Sequence, residues 1–189
     1  ATPLAIWAGM GRAAEGGVLV RSAEALEKLA GAKAIFFDKT GTLTNGTVRL
    51  INVAGTKGEL REIVERAATL EAASEHSLGR AVVAYAKERG VPINSVSEFR
   101  ASPGLGVAGQ VSHSPNNGRS SSHVAVGSGR FMERLGWPID ESLTAKKSEL
   151  ESKGRTVACV GWDGGVRGLL GFEEQLRPEG AETVQALKA

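Results

Sequence analysis

Lys33-Ala-Ile-Phe-Phe-Asp38-Lys-Thr-Gly-Thr-Leu-Thr44 is the stretch on which the reading of the fold turns. Residues 33–37 form an apolar run of the kind found in strands buried on both faces of a parallel sheet. Asp38 closes the run and is predicted to sit at the strand's C-terminal end, where ligands of open α/β sheets bind. The turn after it is rich in Gly and Thr, so it sets backbone N–H groups and hydroxyls beside that carboxylate. An aspartate in this setting can attack a γ-phosphoryl group, with Mg2+ screening both anions and the turn holding the transferred oxygens. Asp38 alone reads equally well as a residue opening an ordinary turn. It is the seven residues 38–44 together that carry the phosphoryl-transfer reading.

Downstream, short apolar runs and amphipathic stretches alternate, as in α/β domains. From Gly58 to about Ala73, Leu60, Ile63, Val64, Ala67 and Leu70 recur at helical spacing. A second helix follows Ser77, with Leu78, Ala81, Val82, Tyr85 and Ala86 on one face and Gly90 and Pro92 as stops, and the two are predicted to form an antiparallel pair. Strands are predicted at Val107–Val111, His123–Gly127, Thr156–Trp162 and Val166–Phe172, with Asp163-Gly164-Gly165 as a tight hairpin between the last two. The polar run Ser112–Ser122 reads as a mobile loop between antiparallel strands. A helix over Glu141–Lys153 ends at Gly154, and Pro178 opens a final helix through Val184 and Leu187. The block from about 55 to 168 therefore reads as an α+β domain inserted into a parallel-sheet domain.

Composition narrows the function classes. The 189 residues carry 23 Lys and Arg against 21 Asp and Glu, so no strong field points to nucleic acid or an anionic membrane surface. The single Cys159 lies in an apolar run, which excludes an internal disulfide or a cysteine metal cluster and fits a reduced, buried thiol in a cytosolic setting. No apolar stretch reaches the roughly 20 residues that span a bilayer, and no secretory signal opens the chain. A start at Ala-Thr-Pro without Met reads as part of something longer. No Gly-x4-Gly-Lys-Ser/Thr occurs, so a P-loop is excluded.

Asp38-Lys39-Thr40-Gly41-Thr42-Leu43-Thr44 resembles the phosphorylation motif of P-type ATPases, within the haloacid-dehalogenase superfamily. The resemblance implies an α/β fold: a partial haloacid-dehalogenase-like, Rossmann-like phosphorylation domain with an inserted α+β nucleotide-binding domain, its antiparallel sheet flanked by a helix pair. It implies Asp38, Lys39 and Thr40 as catalytic residues, with Asp38 and Thr40 also serving Mg2+. The superfamily's phosphatases carry a second Asp two residues after the nucleophile, a general acid/base that speeds breakdown of the aspartyl-phosphate. Here that position is Thr40, so the acyl phosphate should persist, as a pump requires.

Further segments resemble the heavy-metal-transporting (P1B) branch. Residues 1–31 look like the segment leaving the membrane, 32–54 like the first part of the phosphorylation domain, 55–168 like the inserted nucleotide domain, and 169–189 like the hinge and return. Ser74-Glu-His76-Ser-Leu-Gly79 is similar to the branch's Ser-Glu-His-Pro signature, whose His contacts the adenine region of ATP. Ser77 replaces the Pro, and as a good capping residue it should preserve the helix start. Glu71, one turn earlier, resembles the glutamate that approaches adenine; by the residues alone it reads as a solvated helix carboxylate. Gly104-Leu-Gly106 resembles the Gly-x-Gly turn that lets backbone N–H groups approach phosphate or ribose. Gly127-Ser128-Gly resembles the second glycine motif, with Ser128 where Asn is usual. Glu173 or Glu174 falls near the hinge acid, and Arg177-Pro178 matches the hinge.

The resemblance thus implies ATP and Mg2+, a heavy-metal cation (copper favoured by the opening Ala-Thr-Pro), and actuator and membrane parts of the same pump as partners. The pump would be a membrane protein with this portion facing the cytoplasm. It also implies that the phosphorylation site's later Asp motifs and its Lys lie outside this chain, so that the chain alone binds ATP without sustained turnover. Two other readings remain open: a soluble haloacid-dehalogenase-type phosphatase or phosphotransferase, and a non-enzymatic nucleotide sensor.

Overall fold

The structure, a computed structural model, describes residues 3–55, 60–113 and 120–188. The chain divides into two compact units, Ala1–Asp38 and Lys39–Ala189. In the first, helix α1 (Pro3–Glu15) is followed by a turn through Gly17 at φ 81° and by helix α2 (Ala23–Ala30). Ser22 caps α2, its hydroxyl accepting from the N–H of Ala25 at 3.2 Å.

The buried parallel strand predicted over residues 33–37 is not formed. Residues 32–38 have no regular structure, and Phe36 is 95% exposed. Apolarity says that a segment is suited to burial but not what buries it. A strand needs a neighbour for its backbone groups, and none of the described strands pairs with this run.

The second unit begins with one π-helical turn, Lys39–Leu43, and is built on a six-stranded sheet. Its elements are β1 (Thr44–Gly55), α3 (Leu60–Glu71), α4 (Ser77–Glu88), β2 (Val96–Ser102), β3 (Gly106–His113), β4 (Ser120–Gly127), α5 (Gly129–Arg134), α6 (Glu141–Ser152), β5 (Thr156–Trp162), β6 (Gly165–Leu176) and α7 (Pro178–Ala186). The strand order is β1-β6-β5-β4-β3-β2, with every neighbouring pair antiparallel. The fold is α/β with an antiparallel sheet flanked by a helix pair. The predicted helices and four predicted strands are present. Residues 58 and 59, at the predicted start of α3, and the middle of the predicted 112–122 loop lie outside the described residues, while β3 and β4 extend into that loop at either end.

Alternation along the strands separates two cores, as the pleat requires. Val124, Val126, Ala158, Val160, Leu170 and Phe172 join Ile63, Val64, Leu70 and Val82 of the α3–α4 side. Ala125, Cys159 and Leu169 join Phe131, Met132 and Leu143 of α5 and α6. The two helices α3 and α4 run antiparallel: Arg61 at the start of one donates to the carbonyl of Gly90 just past the end of the other at 3.2 Å. The β5–β6 hairpin turns on Asp163 (φ 51°) and Gly164 (φ 84°), both left-handed as a type I′ turn requires, with Trp162 and Gly165 paired. At the opposite end of the sheet β1 and β6 run side by side from Thr44 opposite Leu176 to Gly55 opposite Gly168.

Candidate functional site

A cleft of about 620 Å³ opens between the α3–α4 connection and the ends of β2 to β6. Six residues expected to contact nucleotide, drawn from three separate segments, all line it: Glu71, His76, Gly104, Gly106, Gly127 and Ser128. The remainder of the lining is largely apolar, with Leu78, Phe99, Val107, Val126, Ala158 and Phe172 as its main walls. An apolar cavity with a few convergent polar groups is the usual make-up of a small-molecule site.

Glu71 ends α3 and is 7% exposed, so the solvated carboxylate allowed by the residues alone is not what the structure contains. Ser74 hydrogen-bonds the carboxyl, but Oε2 is buried without a partner. Burial raises the pKa of Glu71 above the usual carboxylate range, with the Ser74 bond acting weakly the other way. Gly79 of α4 makes room for it, because a Cβ there would fall on Oε2.

His76, not Ser77, is the N-cap of α4. Its Nδ1 accepts from the N–H of Leu78 at 3.2 Å, and Ser77 occupies the first helical position. The expectation that Ser77 would do the capping is corrected: an imidazole nitrogen one residue earlier already satisfies the orphan donor. In the neutral ring this assigns the proton to Nε2 and leaves that N–H unused by the cap.

The glycines have distinct reasons. Gly104 takes φ 70° in the turn from β2 to β3, where a side chain would be strained. Gly106 and Gly127 face each other across β3 and β4. A Cβ on Gly106 would lie 2.6 Å from Cα of Gly127 and 2.7 Å from Cδ1 of Phe131, so close strand approach beneath Phe131 accounts for both positions. Ser128 caps α5, its hydroxyl accepting from the N–H of Phe131 at 3.3 Å. A second, wider groove shares Gly104, Leu105, Ser128 and Val157 with the cleft and is lined as well by Arg130, Trp137 and Lys147.

Asp38 closes the first unit and is exposed. The side chains of Lys39 and Thr40 lie outside the described residues. The turn they begin is held from the far end of the sheet. Arg177 donates from its backbone N–H to the Leu43 carbonyl at 2.8 Å, and from its guanidinium to the carbonyls of Thr44 and Gly41 at 3.2 Å each. Thr44, fully buried, accepts from the Gly41 N–H at 3.0 Å. Of the two candidate hinge acids, Glu173 is exposed and Glu174 has a buried Oε2 without a hydrogen-bond partner. Among the described residues no group of three acidic, His or Cys side chains could hold a metal ion, and no helix is long and apolar enough to cross a membrane.

Phe99 is a wall of the cleft that sequence reading missed, because β2 itself was not recognised. Its only signal is the alternation Ser97, Phe99, Ala101 just before the Gly104 turn.

The profile of the haloacid dehalogenase-like hydrolases matches residues 32–189, and the chain belongs to that family. Within it the similarity is narrower. The chain is 37% identical over 189 residues to copper-exporting P-type ATPase B of Archaeoglobus fulgidus, covering 100% of this chain and 26% of that protein. It is 40% identical over 190 residues to a copper-transporting P-type ATPase of Rhizobium leguminosarum bv. viciae, covering 99% of this chain and 21% of that protein. A crystal structure of a zinc-transporting PIB-type ATPase in its E2.Pi state superposes with a TM-score of 0.72 at 31% identity, over 99% of this chain and 29% of that one. The chain thus spans about a quarter of the length of these relatives.

Proposed function

We propose that this chain is the ATP-binding and phosphoryl-accepting part of a heavy-metal-translocating P-type ATPase, with copper the favoured ion. The observation that carries the reading is the convergence of Glu71, His76, Gly104, Gly106, Gly127 and Ser128 on one apolar cleft. The apolar walls take the base and exclude water from it, the Nε2–H of His76 and the Glu71 carboxyl supply polar contacts to it, and the Gly104 turn bounds the cleft beside the wider groove. A carboxylate oxygen of Asp38 attacks the γ-phosphorus, the bond to the β-phosphate oxygen breaks, and ADP leaves as the acyl phosphate forms. Thr40 offers no carboxylic acid to protonate or activate water there, so hydrolysis is slow enough for a conformational cycle to intervene.

Mg2+ suits this donor set only in part. Asp38 and Thr40 offer hard oxygen ligands, and an ion of this kind keeps several waters and takes substrate phosphate oxygens as well. When bound it would neutralise charge between the carboxylate and the phosphates. The boundaries proposed for the nucleotide domain, 55–168, leave β1 and β6 as its two connections, and Arg177 ties their bases to the 39–44 turn.

The test is ATP titration of the chain by calorimetry or NMR, where His76→Ala should weaken binding about tenfold, the order expected for losing one buried-site hydrogen bond and stacking surface. Unchanged affinity would remove His76 from the site. In the full-length protein, Asp38→Asn should abolish acid-stable phosphoprotein. Labelling that persists would reject the nucleophile, and steady phosphate release from small phosphoesters would favour the phosphatase reading.

A further inference from the structure

Asn45 and Gly46 follow the 39–44 turn at the point where β1 leaves its ladder. The β1–β6 register steps from Thr44 opposite Leu176 to Val48 opposite Glu174, so residues 45–47 bulge out of it, and all three are exposed. Gly46 takes φ 74°, and nothing lies within 4 Å of where its Cβ would be. The Asn45 side chain folds back over the Gly46 peptide. Its Oδ1 accepts from the N–H of Thr47 at 2.9 Å, and its Nδ2 donates to Oε1 of Gln175 at 3.3 Å.

We propose that Asn45 is a site of spontaneous modification, converted from amide to acid by its own chain. The Gly46 nitrogen attacks Cγ of Asn45, the Cγ–Nδ2 bond breaks, and Nδ2 leaves as ammonia with the proton that Gly46 gives up. Water then opens the five-membered imide at either carbonyl, leaving aspartate or, where the chain now runs through the side chain, isoaspartate. Three features of the site favour the closure. A glycine nucleophile brings no side chain against Cγ. The Thr47 N–H already points at the oxygen on which charge develops in the tetrahedral intermediate. Turning the 45–46 peptide toward Cγ costs no registered pairing with β6. Asn52 and Asn94 lack this combination. Asn52 is paired with Gly171, precedes the β-branched Val53 and has its Oδ1 held by Arg155, while Asn94 precedes Ser95 and donates to Glu65 at 2.8 Å.

The fold receives the two products differently. Aspartate keeps the Thr47 N–H as donor, now to a carboxylate and so charge-assisted. Isoaspartate adds a methylene to the main chain of β1 between Val48 and Thr44, whose carbonyl Arg177 holds. The experiment incubates the folded 189-residue chain at physiological temperature and mildly alkaline pH, then follows each asparagine by tryptic mapping and mass spectrometry. Isoaspartate is scored by methyltransferase labelling of the tryptic peptide 40–49, in which Asn45 is the sole asparagine and no aspartate occurs. Asn117-Gly118 lies outside the described residues and falls in a different tryptic peptide, so it is scored apart. Conversion at Asn45 should outpace that at Asn52 and Asn94 by about tenfold or more, and should run within about tenfold of the rate in a free peptide of residues 42–48. A smaller margin over Asn52 and Asn94 overturns the proposal. So does a rate that falls further below the free peptide, because β1 would then hold the peptide plane against closure.

Discussion

Burial of Glu71 has a cost that depends on pH before any ligand is present. Its pKa is raised in the folded chain by desolvation, while in the unfolded chain it returns to the ordinary carboxylate value. The folded state therefore binds the proton more tightly. The stability linked to that proton is complete below the unfolded pKa and is lost as pH rises through the folded one. Urea unfolding of wild type and Glu71→Gln should show their difference widening in favour of Gln as pH increases, and parallel profiles would contradict the burial. Gly106 makes a second residue-scale case. The atoms that an added methyl would meet include the backbone of Gly127, which cannot swing aside as a side-chain end could. Gly106→Ala should cost about 1–3 kcal/mol by overpacking, measurable as a lower denaturation midpoint. Neither constraint was legible in the sequence. The motif marked Gly106 and Gly127 as nucleotide contacts, whereas their mutual approach depends on a strand register that no local pattern encodes.

At the scale of elements, what could be read was what periodicity controls. The α3 and α4 faces were plain because Ile63, Val64, Ala67 and Leu70, and Ala81, Val82 and Ala86, repeat at helical spacing and are buried. β2 was hidden: Glu98 sits at φ 53° and the register with β3 slips between Ser97 and Arg100, so a bulge breaks the two-residue alternation. β1 has similar slips, around Asn45-Gly46-Thr47 and near Ile51. The opposite error fell on residues 33–37, where an apolar run was read as a strand although strand formation depends on a partner. One anchor of α3 on the sheet is also outside any periodic reading. Arg66, 5% exposed, lies 4.7 Å over the Trp162 ring, pairs with Glu62 at 2.6 Å and hydrogen-bonds Ser122. Arg66→Ala would remove the cation–π contact and leave Ser122 buried without its donor, for a loss of about 2–3 kcal/mol. Chemical denaturation checks this, and a loss no larger than that of an exposed arginine such as Arg61 would show the cluster to be incidental.

At the scale of the whole molecule, the residues proposed to bind nucleotide and the one proposed to accept phosphate fall in different parts of the chain. The cleft lies wholly within Lys39–Ala189 and is framed by apolar walls, one buried acid and one histidine, whereas Asp38 ends the preceding unit. Sequence motifs marked the polar members of the cleft and the aspartate, because each is a short run of specific residue types. They said nothing of Phe99 or Phe172, which reach the cleft through the sheet's strand order. This division makes metal removal informative. On the proposed reading the base meets apolar and hydrogen-bonding contacts in the cleft, and among the described residues no cluster of three ligands exists to hold a divalent ion by itself. Mg2+ depends on several oxygen donors at once and is commonly held through substrate phosphates, so chelation should touch the phosphates and not the base. The affinity of the chain for adenosine should then be unchanged by EDTA, and that for ATP should change by no more than about tenfold, the effect of roughly 1.4 kcal/mol. Phosphate release from Mg-ATP by the chain should stay at the uncatalysed rate. Calorimetry with and without chelator, and a phosphate-release assay on the same sample, decide it: loss of adenosine binding in EDTA would place a metal within the cleft, and sustained release would mean that these residues already make a complete catalytic centre.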